Sequence, residues 1–175
     1  MENLLLIQKS TELEELSQKL GFTKTLFLDQ DLVLVRGKNQ KELLDQIKTA
    51  KRKNKLAFYQ PETEEMLRFA LEHTPIDLVF GMEKINPSDS LHYLRGGLDQ
   101  IICKIAAEKE KTIGFSFQQI LTTKNPEKMI ARMKFNLKLC RKYKVKTFFN
   151  NFSFQKEELR SAQDLEAFLR VLGKN

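Results

Sequence analysis

Seven short runs rich in β-branched and aromatic residues punctuate this chain, and a longer amphipathic segment separates most of them from the next. The runs are Leu4 to Ile7, Thr25 to Leu28, Leu32 to Val35, Leu56 to Tyr59, Asp77 to Phe80, Thr112 to Phe115 and Lys146 to Phe149. Helical patterns fill residues 11–20, 39–53, 62–73, 97–110, 126–143 and 161–172. Strand-helix alternation at this spacing predicts an α/β fold with a mostly parallel sheet, because a parallel strand pair needs a crossover long enough to hold a helix. Parallel strands of this kind either close into a barrel or stay open as a doubly wound sheet, and periodicity does not choose between the two.

The helix assignments rest on termini as well as spacing. Thr11 stands three residues before Glu14, and Asn125 followed by Pro126 supplies a cap and a first-turn proline. Leu98, Ile101, Ile102, Ile105 and Ala106 recur as one helical face, so the β-branched ICKI run is helix. In RSAQDL, Ser161 and Asp164 have the spacing of a helix start. From Pro126 to Tyr143 the apolar stripe is Ile130, Met133, Leu137 and Cys140.

A chain of 175 residues with 41% hydrophobic content fits one domain spanning residues 1–175. Cys103 and Cys140 both fall within amphipathic helices, where a free thiol packs as a small hydrophobe; this suits a reducing compartment. The N-terminal MENLLLIQKS has an acidic second residue and too short an apolar run for a signal peptide. No stretch is apolar enough to span a bilayer. The expectation is a cytoplasmic protein without a membrane partner.

Three blocks in order carry a family resemblance: LVFG followed by GLDQIICKIAAEK, then TIGFSF, then RKYKVK followed by RSAQDL, within roughly residues 77–173. Together they resemble protein component 3 of archaeal ribonuclease P and the corresponding thirty-kilodalton subunit of the eukaryotic enzyme. The resemblance implies a TIM-barrel-like fold, made compact by short helices and trimmed loops or left with an imperfect eighth βα unit. It also implies a non-catalytic subunit of an enzyme complex that removes the 5′ leader from precursor tRNA. In that family the RNA carries the hydrolysis and requires Mg²⁺, while the protein binds no cofactor of its own. The implied partners are ribonuclease P RNA, precursor tRNA, and the ferredoxin-like protein component 2, paired with this chain in a heterotetramer. Residues 1–60 match the family only loosely.

Charge distribution is the strongest signal that the residues give by themselves. Residues 122–146 hold nine cations and one acid, Glu127, which exceeds the net charge of +7 for the whole chain. The wheel places Lys128, Lys134, Lys138 and Lys142 opposite the apolar stripe. A purely solvated helix interleaves both signs to form i, i+4 pairs, so this composition favours a face turned toward RNA or an acidic partner. The candidate RNA-binding residues of this region are Lys128, Arg132, Lys134, Lys138, Arg141, Lys142 and Lys144. Lys51, Arg52 and Lys53 form a second basic group, part of which only answers a helix C-terminus. Arg95, beside Gly96 and Gly97, and Arg160, beside the RSAQDL helix start, are suited to phosphate. For Gly96 and Gly97 themselves a tight turn into a helix capped near Asp99 is favoured over a phosphate loop. Phe135 and Leu139 lie on the basic side, off the apolar stripe.

Intrinsic chemistry has little to work with. Only His73 and His92 are present, no HxH occurs, and the cysteines lack zinc spacing. No catalytic or metal-binding residue is expected. The alternative, a free-standing metal-dependent phosphoesterase, would need His92 and Asp89 to converge with Glu83 and Arg95 at a barrel mouth.

Overall fold

All seven expected strands form, in a computed structural model that describes residues 1–173. They are β1 (Glu2–Gln8), β2 (Lys24–Leu28), β3 (Leu32–Val35), β4 (Leu56–Tyr59), β5 (Leu78–Phe80), β6 (Thr112–Ser116) and β7 (Lys146–Asn150). Residues 174 and 175, the end of the expected domain, lie outside the described residues. The strands pair in sequence order, every pair parallel, and the helices pack on the outside, giving an α/β, TIM-barrel-like fold. Those helices are α1 (Thr11–Lys19), α2 (Gln40–Arg52), α3 (Glu64–His73), α4 (Gln100–Glu108), α5 (Phe117–Thr122), α6 (Pro126–Lys142) and α7 (Ala162–Val171). Among these only α5, a six-residue turn of helix directly after β6, escaped the periodicity, being too short to show one.

An eighth strand is replaced by a seam. After β7 the chain bends toward β1 at Phe152, which takes a left-handed backbone (φ 50). There Leu6 N–H donates to Ser153 O (2.9 Å) and Phe152 N–H donates to Leu4 O (3.1 Å). The Asn150 side chain imitates a further ladder step: its Oδ1 accepts from Leu4 N–H at 2.8 Å and its Nδ2 donates to Glu2 O at 2.7 Å. Asn151 joins the seam by donating to Asn3 Oδ1 at 3.0 Å. Asn3, Asn150 and Asn151 are fully buried, so these bonds cover polar groups that would otherwise be stranded without water.

The interior of the curled sheet is apolar and filled. Leu4, Leu6, Leu26, Leu32, Phe58, Leu78 and Phe80 point inward, and Phe152 stacks on Phe80 with centroids 4.7 Å apart. Alternate residues such as Val35, Ala57, Val79, Ile113 and Phe149 face outward into the layer between sheet and helices. β2 and β3 are joined by a tight turn with no helix, and the two strands meet only at Leu28 and Leu32. Helix starts carry side-chain caps from Ser10, Asn39, Thr63, Asp99, Ser116 and Ser161. The first of these corrects the expected signal at Thr11 by one residue.

Two apolar faces differ from the sequence expectation. On α4 the buried residues are Ile102, Cys103 and Ala106, while Ile101 is 51% exposed. On α6 the buried face is Met129, Arg132, Met133, Asn136, Leu137 and Cys140, and Ile130 is only half-buried. Both thiols are buried and free.

Candidate nucleic-acid interface and the loop beneath it

The mouth of a parallel barrel is built from the loops after the strands, and the longest of these runs from β5 to α4. It holds a 3-10 turn at Met82–Lys84, then Asp89, His92, Arg95, Gly96 and Gly97. One stripe of α6 holds this loop in place, with Lys128, Arg132 and Asn136 spaced four residues apart so that they rise along a single face. Lys128 Nζ donates to Pro87 O at 3.0 Å and lies 3.7 Å from Asp89. The Arg132 guanidinium donates to Glu83 O and Asn86 O, both at 2.6 Å, and to Asp89 Oδ1 at 2.7 and 2.9 Å. Asn136 Nδ2 donates to Glu83 Oε1 at 2.8 Å and to Gly96 O at 2.7 Å.

Close approach explains the glycine pair. A Cβ on Gly96 would meet Asn136 Oδ1 at 2.5 Å, and one on Gly97, whose φ is +84, would meet Met82 O at 2.2 Å. The turn leads into α4, one of whose free N-terminal amides is already answered by Asp99 (Ile102 N–H to Oδ1, 2.7 Å). Packing and capping therefore account for the pair, as the tight-turn reading expected.

Arg132 is corrected as a candidate RNA contact. Only 3% of it is exposed and every side-chain nitrogen is engaged within the protein, so it is not presented to a phosphate. Lys128, half-buried against the same loop, is largely committed as well. Asp89 does lie in the mouth loop, but its carboxylate is taken up within the protein: it accepts from Arg132 and from Arg95 N–H (2.8 Å). Its burial would raise the carboxyl pKa, but the Arg132 hydrogen bonds, the Arg95 amide and the charges of Arg132 and Lys128 outweigh that and hold it below the usual range. Glu83 is buried whereas His92 and Arg95 are exposed, and the Asp89 carboxylate is held by Arg132, so the four groups that the phosphoesterase reading needs do not share one solvent-accessible site. Among the described residues no three His, Cys, Asp or Glu side chains come together as a metal-sized group.

The remaining candidates divide by surroundings. Lys134, Lys138, Arg141, Lys142 and Lys144 are exposed on or just past α6, as are Arg52 and Lys53 at the end of α2. Arg141 also donates to Gly173 O. Lys51 is committed to Asp77 at 2.5 Å. Arg160 turns inward on its own chain: Nη1 donates to Leu159 O at 2.8 Å and the guanidinium lies over the Phe117 ring. The Arg95 side chain borders a cleft of roughly 730 Å³ with Leu94, Ile101, Phe135 and Leu139. Tyr93, 64% exposed, extends this apolar surface, which the sequence hinted at only through Phe135 and Leu139.

No family model matches the chain. Ribonuclease P protein component 3 of Methanocaldococcus jannaschii is 24% identical over 142 residues, covering 80% of this chain and 58% of the relative. The protein of the same name from Methanosarcina mazei is 28% identical over 113 residues, covering 63% of this chain and 44% of the relative. The chain thus spans about half the length of the curated relatives it matches. A chain in the cryo-electron-microscopy structure of archaeal ribonuclease P with mature tRNA superposes with a TM-score of 0.83 at 18% identity, over 99% of this chain and 83% of that one. An uncharacterized protein superposes less closely, with a TM-score of 0.54 over 77% of this chain and 34% of the other. The motif blocks point to the same proteins as the curated comparison: in sequence the chain is similar to ribonuclease P protein component 3, and its fold is shared with a chain of archaeal ribonuclease P.

Proposed function

We propose that this chain is a protein subunit of ribonuclease P, the ribonucleoprotein that removes the 5′ leader from precursor tRNA. The observation that carries the reading is sequence similarity to two proteins of that name, on a fold shared with a chain of archaeal ribonuclease P. In this role the RNA subunit performs the Mg²⁺-dependent hydrolysis, and the 175-residue domain binds and orders the RNA in the cytoplasm. Cations laid against phosphates release condensed counterions and let RNA helices approach each other, which lowers the Mg²⁺ needed to hold the catalytic RNA. Reconstitution tests this directly. Adding the chain to ribonuclease P RNA and the other protein subunits is expected to lower the Mg²⁺ required for leader removal, and the chain alone is expected to leave precursor tRNA intact. Cleavage at the mature 5′ end by RNA-free protein would reject the assignment.

Protein component 2 is the proposed protein partner, joined with this chain in a heterotetramer. The apolar surface around Leu94 and Ile101 supports a protein contact, because an exposed cluster of this kind is uncommon without a partner. Leu94→Asp with Ile101→Asp is expected to abolish association with component 2 in a gel-filtration assay without lowering the melting temperature. Unchanged association would move the interface elsewhere.

A further inference from the structure

Two basic groups far apart in sequence meet at one end of the barrel. Because every strand is parallel, all strand starts and all helix ends share the end opposite the mouth. Five cations within residues 48–55 close α2, and five within residues 138–146 close α6 and open β7, with no acid in either segment. The strand starts connect them. Lys51 pairs with Asp77, which also accepts from Ala57 N–H at 2.7 Å. Leu78, next to Asp77, pairs in register with Thr112, next to Lys111, and Thr112 pairs with Lys146. Lys111 donates to Ile76 O at 3.1 Å. Burial lowers the Lys111 pKa, and the charges of Lys51 and Lys109 lower it further against the pull of Asp77, so these groups lie within electrostatic reach of one another.

Along this arc the two lysines and two glutamates of residues 108–111 cancel, and Asp77 removes one charge. The arc still carries more than the chain's net +7, which leaves everything outside it net acidic. Helix dipoles do not account for this excess. A helix C-terminus presents about half an elementary charge, against five cations at each of two ends. Lys55, Lys111 and Lys146 stand at strand starts rather than on helices. Beside the end of α6 a concavity of roughly 330 Å³ is lined by Leu137, Arg141, Lys144, Val145 and Lys146, with no carboxylate. The mouth contrasts with it, since its Lys128 and Arg132 are turned inward to hold the β5–α4 loop.

We infer that this chain meets RNA through the arc at the closed end of the barrel, from the end of α2 across the starts of β5, β6 and β7 to the end of α6, and not through the mouth. The ligand is the phosphate backbone, since residues 48–55 and 138–146 offer ten cations and one aromatic, the half-buried Tyr143, too few for a stacking platform. The inference rests on the proposed role in ribonuclease P, and its test does not use cleavage. Arg52→Gln, Lys53→Gln, Lys142→Gln and Lys146→Gln together remove four exposed charges from the arc; Arg36→Gln, Lys38→Gln, Lys41→Gln and Lys124→Gln remove four exposed charges from the mouth end. Binding of each variant to a fully paired RNA duplex is measured as a function of salt, beside its thermal melt.

The arc variant is expected to melt like wild type while its slope of log affinity against log salt falls by roughly 3; the mouth variant keeps the wild-type slope. Equal losses, a loss confined to the mouth variant, or no binding by wild type overturns the inference. Acetylation of wild-type protein with and without the duplex supplies a readout free of substitutions: Lys53, Lys142 and Lys146 are expected to be protected, Lys38 and Lys41 not, and the reverse pattern again overturns it. If the arc binds RNA but the chain fails to assist the ribonuclease P RNA, the proposed function falls and the arc stands.

Discussion

Arg132→Ala is expected to cost about 3–5 kcal/mol of stability, the range for removing one partner of a buried ion pair. The substitution leaves Glu83 O and Asn86 O without their donor and Asp89 without its strongest counter-charge. For a chain of this size that corresponds to a fall in melting temperature on the order of 10 °C. Arg132→Lys should recover little, because an ammonium does not reproduce the fork that serves two carbonyls and a carboxylate together. RNA affinity per folded molecule should stay at the wild-type value. Wild-type melting combined with weakened RNA binding would return Arg132 to the role its sequence position suggested.

One helix viewed alone does suggest that role. In residues 122–146, Arg132 is one cation among nine, and a wheel built on Ile130, Met133, Leu137 and Cys140 does not distinguish it from Lys134 or Lys138. What distinguishes them is the β5–α4 loop, whose carbonyls at Glu83 and Asn86 turn toward α6 and need a donor. Such a need is created by tertiary structure, so it leaves no periodic trace, and it rotates the buried face of α6 toward Arg132 and Asn136. The strands were legible because burial on both sides demands local runs of apolar and β-branched residues. The seam was not, since Asn3, Asn150 and Asn151 look like turn residues until Asn150 is seen completing the ladder of a strand at the other end of the chain.

The same separation explains why the arc escaped the sequence. Each basic segment could be assigned in part to its own helix end. Only the parallel topology, with Lys51, Asp77, Lys111 and Lys146 at successive strand starts, makes them neighbours. In α6, two tasks divide along the helix: the first half clasps the mouth loop through Lys128, Arg132 and Asn136, and the second half delivers exposed cations to the opposite end. Substitutions in the first half should therefore act on stability, and those in the second on RNA.

Glu83 provides the second large effect, and it depends on pH. Its carboxyl is 1% exposed; Oε1 accepts from Asn136, while Oε2 and Asn136 Oδ1 have no donor. Burial pushes the pKa up to about 7, against the Asn136 hydrogen bond, a backbone hydrogen bond and the charges of Arg132 and Lys84. In the unfolded chain the carboxyl titrates near 4.5. Between those two values the folded protein keeps a proton that the unfolded chain has released, so raising the pH favours unfolding by roughly 1.4 kcal/mol per unit, about 3 kcal/mol in all, and the effect levels off above pH 7. The neutral form suits the site because it removes a charge from a buried carboxyl one of whose oxygens has no donor. Glu83→Gln carries an amide where that proton would sit and cannot ionise. Urea denaturation at pH 5 and pH 8 is expected to show wild type losing about 2.5 kcal/mol relative to Glu83→Gln across that interval, with the variant the more stable at pH 8. Parallel pH dependence in the two proteins would mean that Glu83 is ionised in the fold throughout, with Arg132 and Asn136 sufficient to hold a buried carboxylate.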